Sequence, residues 1–302
     1  MVARKIVFYR WESVNAQREF VPWRSIALLA AEIAQDSKFA VLEDEDNGTA
    51  VIPLEAGNEN LPVKLQLLAL RPARNRPAQW SPGTSPVNIP MPEGHYVSDV
   101  THIMMWPDGY LAHDYHVNLP RPSRLVDFLY RKLRAQAAFR QLYRPDMYER
   151  LAALEGQIRS FNFTFTKPHR ELVDPPMVGT LWRMIKGAPV PSISVRMGFG
   201  KNGPRDRYID QGLEQELFQL ASAEEEFLDR LVVTGKSRIT GSSDTVNLMT
   251  ERIHEQVELS PQVDNSAFPD VEETFTTLDL TYKKFLASGL LDNALEARRS
   301  HR

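Results

Sequence analysis

Phe161-Asn162-Phe163-Thr164-Phe165-Thr166 alternates an aromatic with a small polar residue at every step. Successive side chains point to opposite faces only in extended backbone, so this stretch predicts a strand with one buried aromatic face. Working outward, 147–154 reads as a helix just after Pro145, and 178–185 as another. Residues 192–199 read as a strand running into a glycine-rich turn. Leu213, Leu217, Leu220, Leu228 and Leu231 outline a helix broken around Glu224, with strands near 231–236 and 246–259. Asp270 with Glu273 three positions on is a capping box opening a long final helix.

Helical and extended patterns also alternate through the first half. A strand is expected over 5–11, a helix after Pro22, and two short strands flanking the turn Glu45-Asp46-Asn47-Gly48. Another strand covers 63–70, a proline-rich loop 71–94, a hairpin 100–116 about Pro107-Asp108-Gly109, and a helix begins near Ser123. The fold expected is α+β in two domains, 1–145 and 146–302, with mostly antiparallel sheets, packed helices and a long C-terminal helix.

Composition narrows the functions. The 302 residues carry a formal net charge of −3, so the whole chain is no histone-like polycation. There is no cysteine, which excludes disulfides, thiolate zinc sites and a cysteine nucleophile and fits a reducing compartment. The opening MVARKIVFYRW has neither the apolar stretch nor the cleavage site of a signal peptide, and no apolar run approaches the ~20 residues of a membrane span. A cytoplasmic protein is expected, with membrane contact only through a partner.

Motifs for catalysis fail on context. Gly198-Phe199-Gly200-Lys201-Asn202-Gly203 follows a strand, but Pro204-Arg205-Asp206-Arg207 then reads as loop where a dinucleotide site needs a helix N-terminus. Thr234-Gly235-Lys236-Ser237 resembles the end of a P-loop, yet the earlier glycine it requires is Arg230. His113-Asp114-Tyr115-His116 places imidazoles three apart on a strand, hence on opposite faces, which is poor metal geometry even with His102 added. An unrecognised enzyme would use His102, His113 and Asp114. No metal, cofactor or catalytic residue is expected.

Charge distribution points to binding instead. From Arg121 to Arg144 there are seven basic residues and one acid, Asp127; from Glu214 to Asp229 there are six acids and no base. Leu125, Leu129 and Leu133, with Val126 and Ala137, form an apolar stripe opposite Arg124, Arg131 and Arg134, with Lys132 at its edge and Arg121 just before. Such a face suits phosphates, each arginine offering a planar fork of donors, or is simply a solvated helix face. Arg71, Arg74 and Arg76 in the proline-rich loop and Lys201, Arg205 and Arg207 in the glycine-rich loop are further phosphate ligands by residue type. Val271, Phe275, Leu278, Tyr282 and Phe285 recur at a 4-3-4-3 rhythm, a seam for packing within the chain or for pairing with a second subunit.

Three features together resemble the RexA-like phage-exclusion proteins: Val7-Phe8-Tyr9-Arg10 followed by a helix; the Thr101–Ala112 hairpin leading through Pro120-Arg121-Pro122-Ser123 to Leu125-Val126-Asp127-Phe128-Leu129; and a strand–helix–strand second half ending in a long helix. The resemblance implies a cytosolic DNA-binding protein of phage defence that self-associates and acts with a small integral-membrane partner. It supplies no residue-by-residue site. The leading expectation is a non-enzymatic double-stranded DNA sensor or effector making sequence-independent phosphate contacts. The alternative is a protein-interaction adaptor using the acidic segment and the C-terminal seam.

Overall fold

In a computed structural model the chain is α+β, with antiparallel sheets, packed helices and a helical C-terminal segment. The structure describes residues 1–14, 23–35, 41–42, 48–71, 78–79, 87–88, 97–116, 119–133, 136–166, 192–199, 207–212, 214, 228–247, 250–263 and 268–300. In chain order the first elements are β1 (Val2–Val14), α1 (Trp23–Gln35), β2 (Val41–Leu42), β3 (Gly48–Glu55), β4 (Val63–Arg71), β5 (Ala78–Gln79), β6 (Val87–Asn88), β7 (Val97–Met105), β8 (Tyr110–Tyr115) and α2 (Pro122–Leu133). There follow β9 (Gln136–Gln141), α3 (Pro145–Leu154), β10 (Ile158–Thr166), β11 (Ser192–Gly198), β12 (Leu228–Lys236), β13 (Ser243–Asn247), β14 (His254–Leu259), α4 (Val271–Ala287) and α5 (Leu290–Ser300). Two compact units result: Met1–Val7, Trp11–Ala138 and His254–Tyr282 make the first, and Phe8–Arg10, Phe139–Ile253 and Lys283–Arg302 the second.

The first unit is built on a sheet of order β14-β1-β8-β7-β4-β3-β2. In β4, Val63, Leu65 and Leu67 are buried while Lys64 and Gln66 are half-buried, the period of two that a sheet face imposes. Central β8 is buried along nearly its whole length, which is why Leu111, Ala112 and His113 sit in one run without alternation. The hairpin expected about Pro107-Asp108-Gly109 pairs Ile103 with His113 and Met105 with Leu111, and Gly109 takes φ 89°, a conformation only glycine adopts cheaply. The hairpin expected about Asn47-Gly48 pairs Val41 with Ala50, its turn lying outside the described residues. Within the stretch expected as a proline-rich loop, β5 and β6 pair Ala78 with Asn88.

Helix α4 opens as expected: the Glu273 amide donates to Asp270 Oδ1 at 2.8 Å, a cap of about 1 kcal/mol. The Glu273 carboxylate, however, accepts from the Ser260 amide at 2.8 Å. The 4-3-4-3 seam is occupied inside the chain. Phe275, Leu278, Tyr282 and Phe285 are buried and Val271 half-buried; the Phe275 ring meets His102 edge-on, and Tyr282 stacks on Trp106 at 4.1 Å. Packing within the chain therefore accounts for Phe275, Leu278, Tyr282 and Phe285, which are not an open oligomerisation surface.

The second unit contains the sheet β11-β10-β12-β13. Phe161 and Phe163, fully buried, oppose Val233 and Leu231 and form its core with Met147, Leu154, Ile158 and Val246. Two expectations are corrected. Leu228 and Leu231 belong to strand β12, not a helix, because Val232, Val233 and Thr234 are β-branched and the buried Leu231 and Val233 fall two apart to face the phenylalanines. Likewise 246–259 is not one strand: a turn closed by Thr250 and Glu251 amides on the Asn247 carbonyl ends β13 before β14 begins. The helix expected over 178–185 lies outside the described residues.

Candidate functional site

Helix α2 is amphipathic, as its sequence implies. Leu125, Val126, Phe128 and Leu129 are buried and Arg131 is exposed. It ends at Leu133, so Ala137 belongs to β9 rather than to the helical stripe. The arginine row is not uniform. Arg124 turns into the protein and donates through Nη1 to Thr49 Oγ1 at 3.3 Å and the Gly48 carbonyl at 3.5 Å. Burial pulls its guanidinium below the ordinary value, with Asp127 and Asp99 acting the other way. Phe128, one helical turn on, explains the tilt: its burial widens the inward arc of the helix to the edge where Arg124 stands. Arg124 is thus a tie between α2 and β3, a correction to its expected outward role.

Of the other basic residues, Arg121 is half-buried just before α2, and half-buried Lys132 has its Nζ 5.8 Å from the Phe128 ring centre. Arg134 lies outside the described residues. The tie at Gly48 has a topological consequence, because Gly48 opposes Leu70 in the β3–β4 register and Arg71 is the next residue. The Arg124 tie thereby sets α2 beside the end of β4, whose last residue is Arg71. Arg74 and Arg76 follow in sequence, outside the described residues. In the second unit Arg207 is exposed; Lys201 and Arg205 are outside the described residues. Of the acidic segment, Glu214 is described: it is buried, and its carboxylate accepts from the Gly156 amide at 3.1 Å, closing the turn after α3.

The histidine cluster takes a form that spacing does not reveal. His102 and Asp114 lie on one face of the β7–β8 pair, whereas His113 opposes Ile103 and so faces the other side. Asp114 Oδ1 accepts from Thr101 Oγ1 at 2.8 Å and the His102 amide at 2.6 Å. Its Oδ2 meets His102 Nδ1 at 3.2 Å and Arg4 Nε at 3.6 Å, with the Arg4, His102 and Asp114 side chains all almost fully buried. His102 Nε2 lies 3.1 Å from the Gln66 side-chain amide, within hydrogen-bond distance. With the Phe275 ring against the imidazole, this is a closed polar bridge between strands rather than a pocket with an open position. Arg4 and Gln66 are the members sequence reasoning missed; only strand register shows that they reach His102 and Asp114.

The P-loop-like tetrapeptide is structural. A Cβ on Gly235 would stand 2.6 Å from the Gln157 carbonyl oxygen, so this glycine admits close approach of β10 to β12 rather than a phosphate. Among the described residues no group of three His, Cys, Asp or Glu side chains is placed to hold a metal ion, and no helix is long and apolar enough to cross a membrane. Searches for related proteins found no matching family model and no similar curated protein.

Proposed function

We propose that the chain is a nucleic-acid-binding protein without catalysis of its own, gripping the phosphate backbone of duplex DNA along helix α2 and the neighbouring end of β4 in its first unit. The supporting observation is the convergence at Gly48: the Arg124 tie sets the start of α2 beside the β4 end that carries Arg71. In this reading Arg124 positions the helix, and Arg121, Arg131, Lys132 and Arg71 meet phosphates. Such contacts give affinity and steep salt dependence with little base selectivity. Asp127 and Asp99, close enough to act on Arg124, temper the local potential and fit weak, sequence-independent binding. A role in phage defence rests on the resemblance of the Thr101–Ala112 hairpin and the segment after it. The test is duplex-DNA binding by an Arg121→Glu/Arg131→Glu variant. Binding should be lost while circular dichroism stays unchanged; undiminished binding overturns the assignment.

A further inference from the structure

A hollow of 580 Å³ opens in the first unit where β14, β1 and β8 lie side by side. It has a simple origin in side-chain length. Register sets Ala3 opposite Glu258 and Lys5 opposite Gln256, and alternation sends all four to one face, where all four are exposed. Ala3 is short; the longer Lys5, Gln256 and Glu258 stand around it, and Tyr115 and His116 line the β8 side. Next to Ala3, Arg4 is fixed by Asp114 and by its own bond to the Ala3 carbonyl at 3.2 Å. Lys5 and Glu258 are diagonal neighbours on paired strands, near enough for long side chains to interact. Yet neither has an ion-pair partner among the described residues.

We propose that this hollow binds a small zwitterion of the amino-acid or short-peptide class, its carboxylate toward Lys5, its ammonium toward Glu258, and Gln256 hydrogen-bonding its body. Opposite charges on Lys5 and Glu258 around one hollow, whose other cation Arg4 is already paired with Asp114, match a ligand carrying both signs. A simple anion is repelled by Glu258 and a simple cation by Lys5. The volume lies within the usual range of about 300–1,000 Å³ for small-molecule sites. The proposal is independent of DNA binding, which uses other residues.

The test is a chemical-shift titration of the isotopically labelled full chain with each proteinogenic L-amino acid, with triglycine, and with the same probes acetylated or amidated. Saturable shifts at Lys5, Tyr115, Gln256 and Glu258 are expected with one class of free probe, which distinguishes amino acid from peptide. Blocking either end should weaken binding about tenfold, as should Lys5→Glu or Glu258→Lys alone. The double reversal Lys5→Glu/Glu258→Lys should restore it, since the ligand can turn end for end. These positions are exposed, so the variants keep the fold. Absence of saturable shifts with every free probe, equal binding of doubly blocked probes, or indifference to both single reversals overturns the proposal.

Discussion

Asp114→Ala removes the acceptor on which four contacts converge. Oδ2 pairs with Arg4 Nε at 3.6 Å, and at an effective dielectric of ~20 that Coulomb interaction is about 5 kcal/mol before desolvation is counted. Removing one partner of a buried ion pair typically costs about 3–5 kcal/mol, since the remaining charge is stranded. The His102 amide, which donates to Oδ1 at 2.6 Å, also loses its partner. A loss of roughly 4 kcal/mol is expected, a large share of the ~5–15 kcal/mol total of an ordinary domain. Asp114→Asn also leaves Arg4 without its carboxylate but should cost less than alanine, because its retained oxygen still accepts from Thr101 and the His102 amide. Urea unfolding followed by far-ultraviolet circular dichroism and by the fluorescence of buried Trp106 measures both. An alanine variant within about 1 kcal/mol of wild type, or an asparagine variant as damaged as the alanine one, refutes the bridge as a structural unit.

Three further outcomes are expected. Gly235→Ala should destabilise the second unit by about 1–3 kcal/mol through its clash with the Gln157 carbonyl, read as a lower urea midpoint. Arg150 bonds Asp244 at 3.0 Å and Glu251 at 2.8 Å, but it is a third exposed, so Arg150→Ala should cost only about 1 kcal/mol. Since Arg150 holds the Asp244 carboxyl below its usual range, that stabilisation is full above the unfolded carboxylate value and vanishes as pH falls through the folded one. Melting temperatures of wild type and Arg150→Ala should therefore converge in acid. Burial instead raises Glu214, so its charge costs stability as pH climbs past the ordinary carboxylate value, and Glu214→Gln, which keeps an acceptor for Gly156, should melt no lower than wild type at neutral pH.

Strand alternation and helix caps were legible because they are local. Phe161 and Phe163 declare their face by themselves, and Asp270 lies next to the amides it caps. Leu228 and Leu231 misled because a spacing of three fits one helical turn, while the partner that decides the matter, Phe163, is some seventy positions away in sequence. The arginine row shows the same limit. A helical wheel places Arg124 with Arg131, but it contains neither the buried Phe128 that widens the inward arc nor the Thr49 hydroxyl that accepts Arg124. The Arg4–Asp114–His102–Gln66 bridge draws on four strands, and its assembly depends on register alone.

Whether helix α2 holds duplex DNA is tested most directly by fluorescence anisotropy of a labelled duplex across a series of salt concentrations. About four phosphate contacts predict a slope of log K against log salt of roughly −3 to −4, reduced by about one when Arg131 becomes glutamate. Binding that ignores salt, or a slope unchanged by that substitution, contradicts the proposal.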